Sequence, residues 1–340
     1  MSITSKPDPT VVSLFAGCGG SSLGYKQAGY DVRLAVEWDT GAADVYCRNF
    51  PETNIYEGDI ADLTAEEALR VTALEPGELD VLDGSPPCQG FSTAGKRKFA
   101  DTRNRLFEEY VRMVEVFKPR MLVMENVSGL RKGKMKLIFA EMTRALKDAG
   151  YKVSCRELNA SWYGVPQDRR RLIWVGVRQD LAAMPGHPEP TVTVPVSAGQ
   201  ALNMSRTHTL IPPAFAACTC CTIPPTPFTS AAPTLVAGGP LKITGIEDAY
   251  GPNRNAARSE EWQSTNKPSD TLSAIRPPRI TLITDGESVR YLTIEESKVL
   301  QGFPEWFDIR EKEYKFLGNS VCPPMARAIG RHLMTLQEEA

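Results

Sequence analysis

Val11-Val12-Ser13-Leu14-Phe15-Ala16-Gly17-Cys18-Gly19-Gly20 runs from a β-branched apolar segment straight into a glycine turn. A buried strand reads this way, and glycines at its carboxyl end let a ligand approach the backbone closely. Similar short apolar runs occupy residues 31–37, 79–83, 120–125 and 172–177. Helical patterns lie between them. Residues 104–118 place Leu106, Phe107, Tyr110, Met113, Val114 and Phe117 on one face. Residues 134–149 do the same with Leu137, Ile138, Met142, Ala145 and Leu146, and Gly150 supplies the stop. Strands alternating with helices predict an α/β fold with a doubly wound, mostly parallel sheet.

Outward from this core the composition changes. Residues 180–265 hold twelve of the 26 prolines, which excludes long helices there. This stretch reads as the heart of a second, irregular, β-rich unit. The whole chain has 340 residues, 42% apolar and 24% charged, an ordinary globular composition. No apolar run approaches the ~18 residues of a membrane span. Residues 1–9 have no apolar core and read as no signal peptide, so the cytoplasm is the expected compartment and the eight cysteines are expected reduced.

The net charge of −2 conceals a strong asymmetry. Residues 31–80 carry thirteen acidic and three basic residues, a net of −10. Residues 91–136 carry twelve basic and five acidic residues, a net of +7. Such a basic segment suits a polyanion, with the acidic segment turned away from it.

Four stretches carry chemistry. The glycine turn, with Phe15, Gly17 and Gly20, is followed by Glu37 at the end of the second predicted strand, where a carboxylate suits ribose hydroxyls. It is not the G-x-G-x-x-G pattern, which disfavours a dinucleotide oxidoreductase. Trp38 next to it can stack on a purine, and Asp59-Ile60 can supply an acceptor and an apolar wall. The second stretch is Asp83-Gly84-Ser85-Pro86-Pro87-Cys88-Gln89-Gly90-Phe91-Ser92. Two prolines lift the cysteine out of regular structure at a sheet's carboxyl edge, where a nucleophile belongs. Lys96, Arg97, Lys98, Arg103 and Arg105 follow, and cations there lower a thiol pKa and hold phosphates. The third is Glu125-Asn126-Val127, an acid at a strand end facing the same crevice. The fourth is Gln167-Asp168-Arg169-Arg170-Arg171, whose alternate arginines share a face and can bracket an anion or orient Glu125.

In this order the four stretches resemble the motifs of bacterial-type cytosine-C5 DNA methyltransferases. Arg290–Thr293, residues 300–304 and residues 314–323, with Gly318-Asn319-Ser320, match that family's last two motifs. The resemblance covers about residues 11–178 and 267–332. It implies a class I methyltransferase fold with a smaller target-recognition unit. Residues 1–185 and 310–340 would form the catalytic and cofactor domain, to which the C-terminal helix returns, and 186–309 the recognition domain. S-adenosylmethionine would be the cofactor, with S-adenosylhomocysteine as product. Phe15, Gly17, Gly20, Glu37, Trp38, Asp59, Ile60, Asn319 and Ser320 would line its pocket. Cys88 would attack C6 of a flipped cytosine and Glu125 would bond its N3 edge. Arg169 would steady base and carboxylate, and Arg171 would support the loop. Gln89, Ser92, Lys96, Arg97 and Arg103 would contact DNA. The expected enzyme is a monomer in the bacterial cytoplasm that acts on double-stranded DNA, away from membranes. A cognate restriction endonuclease would be a partner in function only.

A branch of this fold that methylates transfer RNA carries Cys-Phe-Thr in its recognition region, and this sequence does not. The cluster Cys218-Thr219-Cys220-Cys221 lacks the paired spacing of a zinc site. Cys18, Cys47, Cys155 and Cys322 read as small buried residues.

Overall fold

The structure, a computed structural model, describes residues 7–87, 105–203, 209–211, 226–227, 232–233, 282–284 and 289–339. Its centre is a seven-stranded sheet. The strands are β1 (Thr10–Leu14), β2 (Asp31–Glu37), β3 (Asn54–Glu57), β4 (Val81–Gly84), β5 (Met121–Val127), β6 (Tyr151–Asn159) and, after the two-residue β7 (Gln167–Asp168), β8 (Arg170–Arg178). They lie in the order 3-2-1-4-5-8-6. The first five are parallel, and β8 runs antiparallel to both of its neighbours. The alternating apolar runs thus mark an α/β, mostly parallel fold, as expected.

The period of two divides β1, β4, β5 and β8 between two cores. Val11, Val81, Val123 and Ile173 pack on one face with Tyr25, Met325, Ile329 and Leu333. Val12, Leu82, Met124 and Trp174 pack on the other with Tyr110, Met113, Phe117, Met142 and Leu146. The helices on these faces include α1 (Gly20–Ala28), α2 (Thr40–Asn49), α3 (Ala65–Thr72), α4 (Arg105–Phe117) and α5 (Lys136–Asp148). The last two match the helices read at 104–118 and 134–149, with one correction: Leu137, read as part of the apolar face, is exposed, and Met142 and Leu146 are the residues of α5 that are buried. Gly150 at φ 95° supplies the left-handed turn that stops α5.

Beyond the sheet come α6 (Ala198–Ala201), β9 (Thr209–Ile211), β10 (Thr226–Pro227), β11 (Ala232–Pro233), β12 (Leu282–Thr284), β13 (Val289–Tyr291), α7 (Ile294–Gln301), α8 (Tyr314–Asn319) and α9 (Pro323–Glu338). Four of these short strands form an antiparallel sheet in the order 10-9-12-13, and β11 pairs with β7. The cysteine cluster at 218–221 lies outside the described residues.

The C-terminal helix α9 packs on α1. Gly24 has no room for a side chain because a Cβ there would meet Ala326, and Tyr30 Oη donates to the Gly330 carbonyl at 3.1 Å. One cysteine reading is corrected. Cys18 and Cys322 are buried, but Cys47 is exposed and Cys155 only half-buried. On α2 the core-facing turn is supplied by Val45 and Tyr46, which leaves Cys47 on the outer side. Among the described residues no helix is long and apolar enough to cross a membrane.

Candidate active site

The carboxyl ends of β1, β2, β4 and β5 meet at one edge of the sheet, where α/β folds place their ligands. Because β8 is antiparallel, its first residues come to this same edge. Register pairs Arg171 with Val127 and Ile173 with Glu125.

At the end of β1 the chain turns sharply. Phe15 and Gly17 both have φ 57°, a left-handed conformation that strains the phenylalanine, and Gly19 has φ 92°. A Cβ on Gly17 would meet nothing within 4 Å, so this backbone borders open space. Gly20 is different. A Cβ there would collide with Ser320 Oγ and the Val321 carbonyl, so this glycine serves the close packing of the C-terminal segment.

Glu37, 7% exposed, faces the turn. Its carboxylate accepts from the N–H groups of Gly17 at 2.7 Å, Trp38 at 3.0 Å and Asp39 at 2.9 Å. The Trp38 ring beside it is 77% exposed. Asp39 caps α2 by accepting from Gly41 and Ala42 N–H. Asp59 is half-exposed, accepts from Ala61 N–H at 3.0 Å and lies 3.8 Å from Arg105. Ile60, expected as a wall of the pocket, is 3% exposed and packs into the core.

The stem of the Pro-Cys loop is held from two sides. Ser85 Oγ donates to the Phe15 carbonyl at 3.4 Å, and Asn126 Nδ2 donates to the Pro86 carbonyl at 3.0 Å. Cys88, Gln89, Ser92, Lys96, Arg97 and Arg103 lie outside the described residues. Glu125 stands next to Asn126, and its Oε1 is 2.8 Å from Arg171 Nε. The expected division of labour between the arginines is thereby redrawn. Arg171 holds the Glu125 carboxylate. Arg169, 2% exposed, instead donates to the Gly318 carbonyl at 2.9 Å and the Ser320 carbonyl at 2.8 Å. Burial pulls the Arg169 pKa down to about 10, which leaves it a cation at neutral pH.

Asn319, exposed, lies between those two carbonyls, and Ser320 is buried beside Gly20. A second tie went unread in the sequence. Gln167 Nε2 donates to Gln301 Oε1 at 2.8 Å, and Gln301 Nε2 donates to the Ser320 carbonyl at 3.0 Å. Buried amides of this kind leave no periodicity signal, and only the polar residues at otherwise apolar positions hint at them. The thiols of Cys18 and Cys322 are pushed up by burial, to about 12 and about 11, and are inert as nucleophiles.

The sequence profile of the C-5 cytosine-specific DNA methylases matches residues 9–335. The Type II methyltransferase M1.HphI of Haemophilus parahaemolyticus is 33% identical over 96% of this chain and 87% of its own length. The Type II methyltransferase M.XorII of Xanthomonas oryzae pv. oryzae is 44% identical over 54% of this chain, and the match spans 43% of that protein. Among solved structures, a DNA modification methyltransferase encoded within a prophage (E. coli) superposes with a TM-score of 0.66. It is 25% identical and covers 97% of this chain and 100% of its own.

Proposed function

Since the chain belongs to the C-5 cytosine-specific DNA methylase family, we propose that it methylates C5 of a cytosine flipped out of a short, specific duplex DNA site. The observation that carries this reading is the meeting of the Glu125–Arg171 pair, the stem of the Pro-Cys loop and the Glu37–Trp38 corner at one sheet edge. An acid with its orienter, a nucleophile loop and a cofactor corner are what the reaction requires.

The residues present fit S-adenosylmethionine. Open space at Gly17, an exposed indole at Trp38 and the Glu37 carboxylate at the end of β2 offer a backbone approach, a stacking surface and an acceptor for ribose hydroxyls. Phe15, Asp59, Asn319 and Ser320 complete the pocket, and Gly20 and Ile60 support it from behind. When bound, S-adenosylmethionine supplies an electrophilic methyl group.

Cytosine C5 is a poor nucleophile and needs activation. The Cys88 thiolate adds to C6, which raises electron density at C5. Glu125, held by Arg171, hydrogen-bonds the N3 edge as charge develops there. Once C5 carries the methyl group, loss of its proton expels the thiolate and restores Cys88. A base inside the duplex cannot reach Cys88, so flipping precedes chemistry at a cost of a few kcal/mol. Gln89, Ser92, Lys96, Arg97 and Arg103, which follow Cys88 in the sequence, contact the DNA. Residues 1–185 and 310–340 form the catalytic unit and 186–309 the recognition unit. The enzyme acts as a monomer in a bacterial cytoplasm, and any restriction endonuclease is a partner in function alone.

Bisulfite sequencing of a plasmid from a methylation-free host expressing this chain tests the reading. One protected cytosine context is expected, and none with Cys88→Ser. Protection by Cys88→Ser would overturn the assigned nucleophile. A plasmid left unprotected by the wild type would overturn the activity.

A further inference from the structure

Asp83 is a buried carboxylate for which the chemistry above has no use. It is 6% exposed at the penultimate position of β4, and the stem of the Pro-Cys loop leaves directly after it. Its partners are hydroxyls. Tyr25 Oη donates to Oδ1 at 3.2 Å and Ser13 Oγ donates to Oδ2 at 3.3 Å. The Ser21 hydroxyl also bonds the carboxylate, and it lies 3.4 Å from Ser13 Oγ. Tyr110 crowds the adjacent Gly84 so closely that no side chain fits there.

These donors come from two other elements. Ser13 lies on β1, two residues before the strained Phe15. Ser21 and Tyr25 lie on α1, which leaves the glycine turn. The carboxylate therefore clamps the strand entering the cofactor turn, the helix leaving it and the strand that delivers the nucleophile loop. Above the clamp, among the described residues, Ser85 Oγ bonding to the Phe15 carbonyl links stem to turn. An apolar side chain would fill this place at lower cost than a carboxylate, since buried charge is retained only at a penalty. Directional bonds that tie its own strand to two other elements at once are what an apolar residue cannot supply.

We propose that Asp83 is a positioning residue for methyl transfer: through Ser13, Ser21 and Tyr25 it sets the stem of the Pro-Cys loop against the glycine turn, and with it the distance the methyl group must cross. This role rests on the methyltransferase function proposed above.

Full-length Asp83→Ala, Asp83→Asn and Tyr25→Phe chains are compared with the wild type in two assays. One is single-turnover transfer from tritiated S-adenosylmethionine to a duplex bearing the protected site. The other is covalent trapping by the same duplex with 5-fluorocytosine. A displaced stem slows the reaction without removing competent sites. Asp83→Ala is expected to lose rate by ~10- to 100-fold, the scale of a sub-ångström to 1 Å misplacement. The trapped fraction of folded protein stays at the wild-type level. Asp83→Asn, which keeps the shape but only one of the two acceptor oxygens, recovers part of the rate, and Tyr25→Phe loses several-fold. Where Asp83→Ala does not fold, Ser21→Ala/Tyr25→Phe takes its place with the same expectation. Wild-type rates with a reduced trapped fraction in these chains would overturn the positioning role and leave the enzyme's function standing. A wild type that transfers no methyl group to duplex DNA would overturn both.

Discussion

Arg171 Nε lies 2.8 Å from Glu125 Oε1, with the two side chains only 15% and 14% exposed. Sheet register makes them diagonal neighbours on one face, since Arg171 pairs with Val127. A shielded pair of this kind loses more than a surface pair when one member goes, because the remaining charge is stranded. Arg171→Ala is expected to lower kcat by ~10²-fold or more through the disoriented acid. Arg171→Lys should recover only part, because an ammonium lacks the planar Nε–H that meets the carboxylate. Steady-state methyl transfer at saturating DNA measures both. A wild-type kcat for Arg171→Ala would remove Arg171 from the machinery.

Arg169 sits one alternate position away and does a different job. Its two bonds hold the Gly318 and Ser320 carbonyls on either side of Asn319. In Arg169→Met both carbonyls lose their cationic partner in a buried place. A loss of about 1–3 kcal/mol is expected, because the Gly318 carbonyl is left unpaired while the Ser320 carbonyl keeps its bond from Gln301. Urea unfolding should show it, and titration with S-adenosylhomocysteine should show weaker binding if the segment proposed to close the pocket loosens. Unchanged unfolding midpoints would mean that Gln301 alone holds the segment.

Much of this was legible in the residues. The apolar runs of β1, β4, β5 and β8 are continuous because both sheet faces are buried, so Val11 and Val12, or Val123 and Met124, serve opposite cores. β6 was not legible. Lys152, Arg156 and Glu157 lie on an edge strand with one flank open, and edge strands tolerate charge. Glu125, Glu37 and Arg171 announced themselves as charged residues at strand ends. Which arginine faces Glu125 did not, since that depends on a register no local pattern encodes. The placing of Ile60 in the core and the Gln167–Gln301 tie depend likewise on contacts between distant segments.

Trp38 is 77% exposed, so its ring contributes little to the fold it belongs to. Its place beside Glu37 fits a stacking surface for adenine. Trp38→Ala should leave the melting temperature unchanged and weaken S-adenosylhomocysteine binding by ~1–3 kcal/mol, the scale of aromatic–base stacking. Isothermal titration calorimetry reads the affinity directly. Undiminished affinity in a folded Trp38→Ala chain would place the adenine elsewhere.

Asp83 also has a pH signature. Burial raises its pKa from 3.8 to about 6, against the pull of the Ser21, Tyr25 and Ser13 hydroxyls, with Glu125 adding to the rise. The folded pKa exceeds the unfolded one, so folding favours the protonated acid. Its contribution is fully present below pH 3.8 and is lost as pH rises through about 6. Above that the ionised group costs on the order of 3 kcal/mol relative to the protonated one. Asp83→Asn removes the charge and keeps the shape. It is expected to melt higher than the wild type at pH 7–8, with the gain shrinking toward pH 4–5. Differential scanning calorimetry across this window checks it. A stabilised chain that also transfers methyl groups more slowly would show a carboxylate kept for geometry at the expense of stability. A difference in melting temperature that does not vary with pH would mean that Asp83 titrates as an ordinary carboxylate.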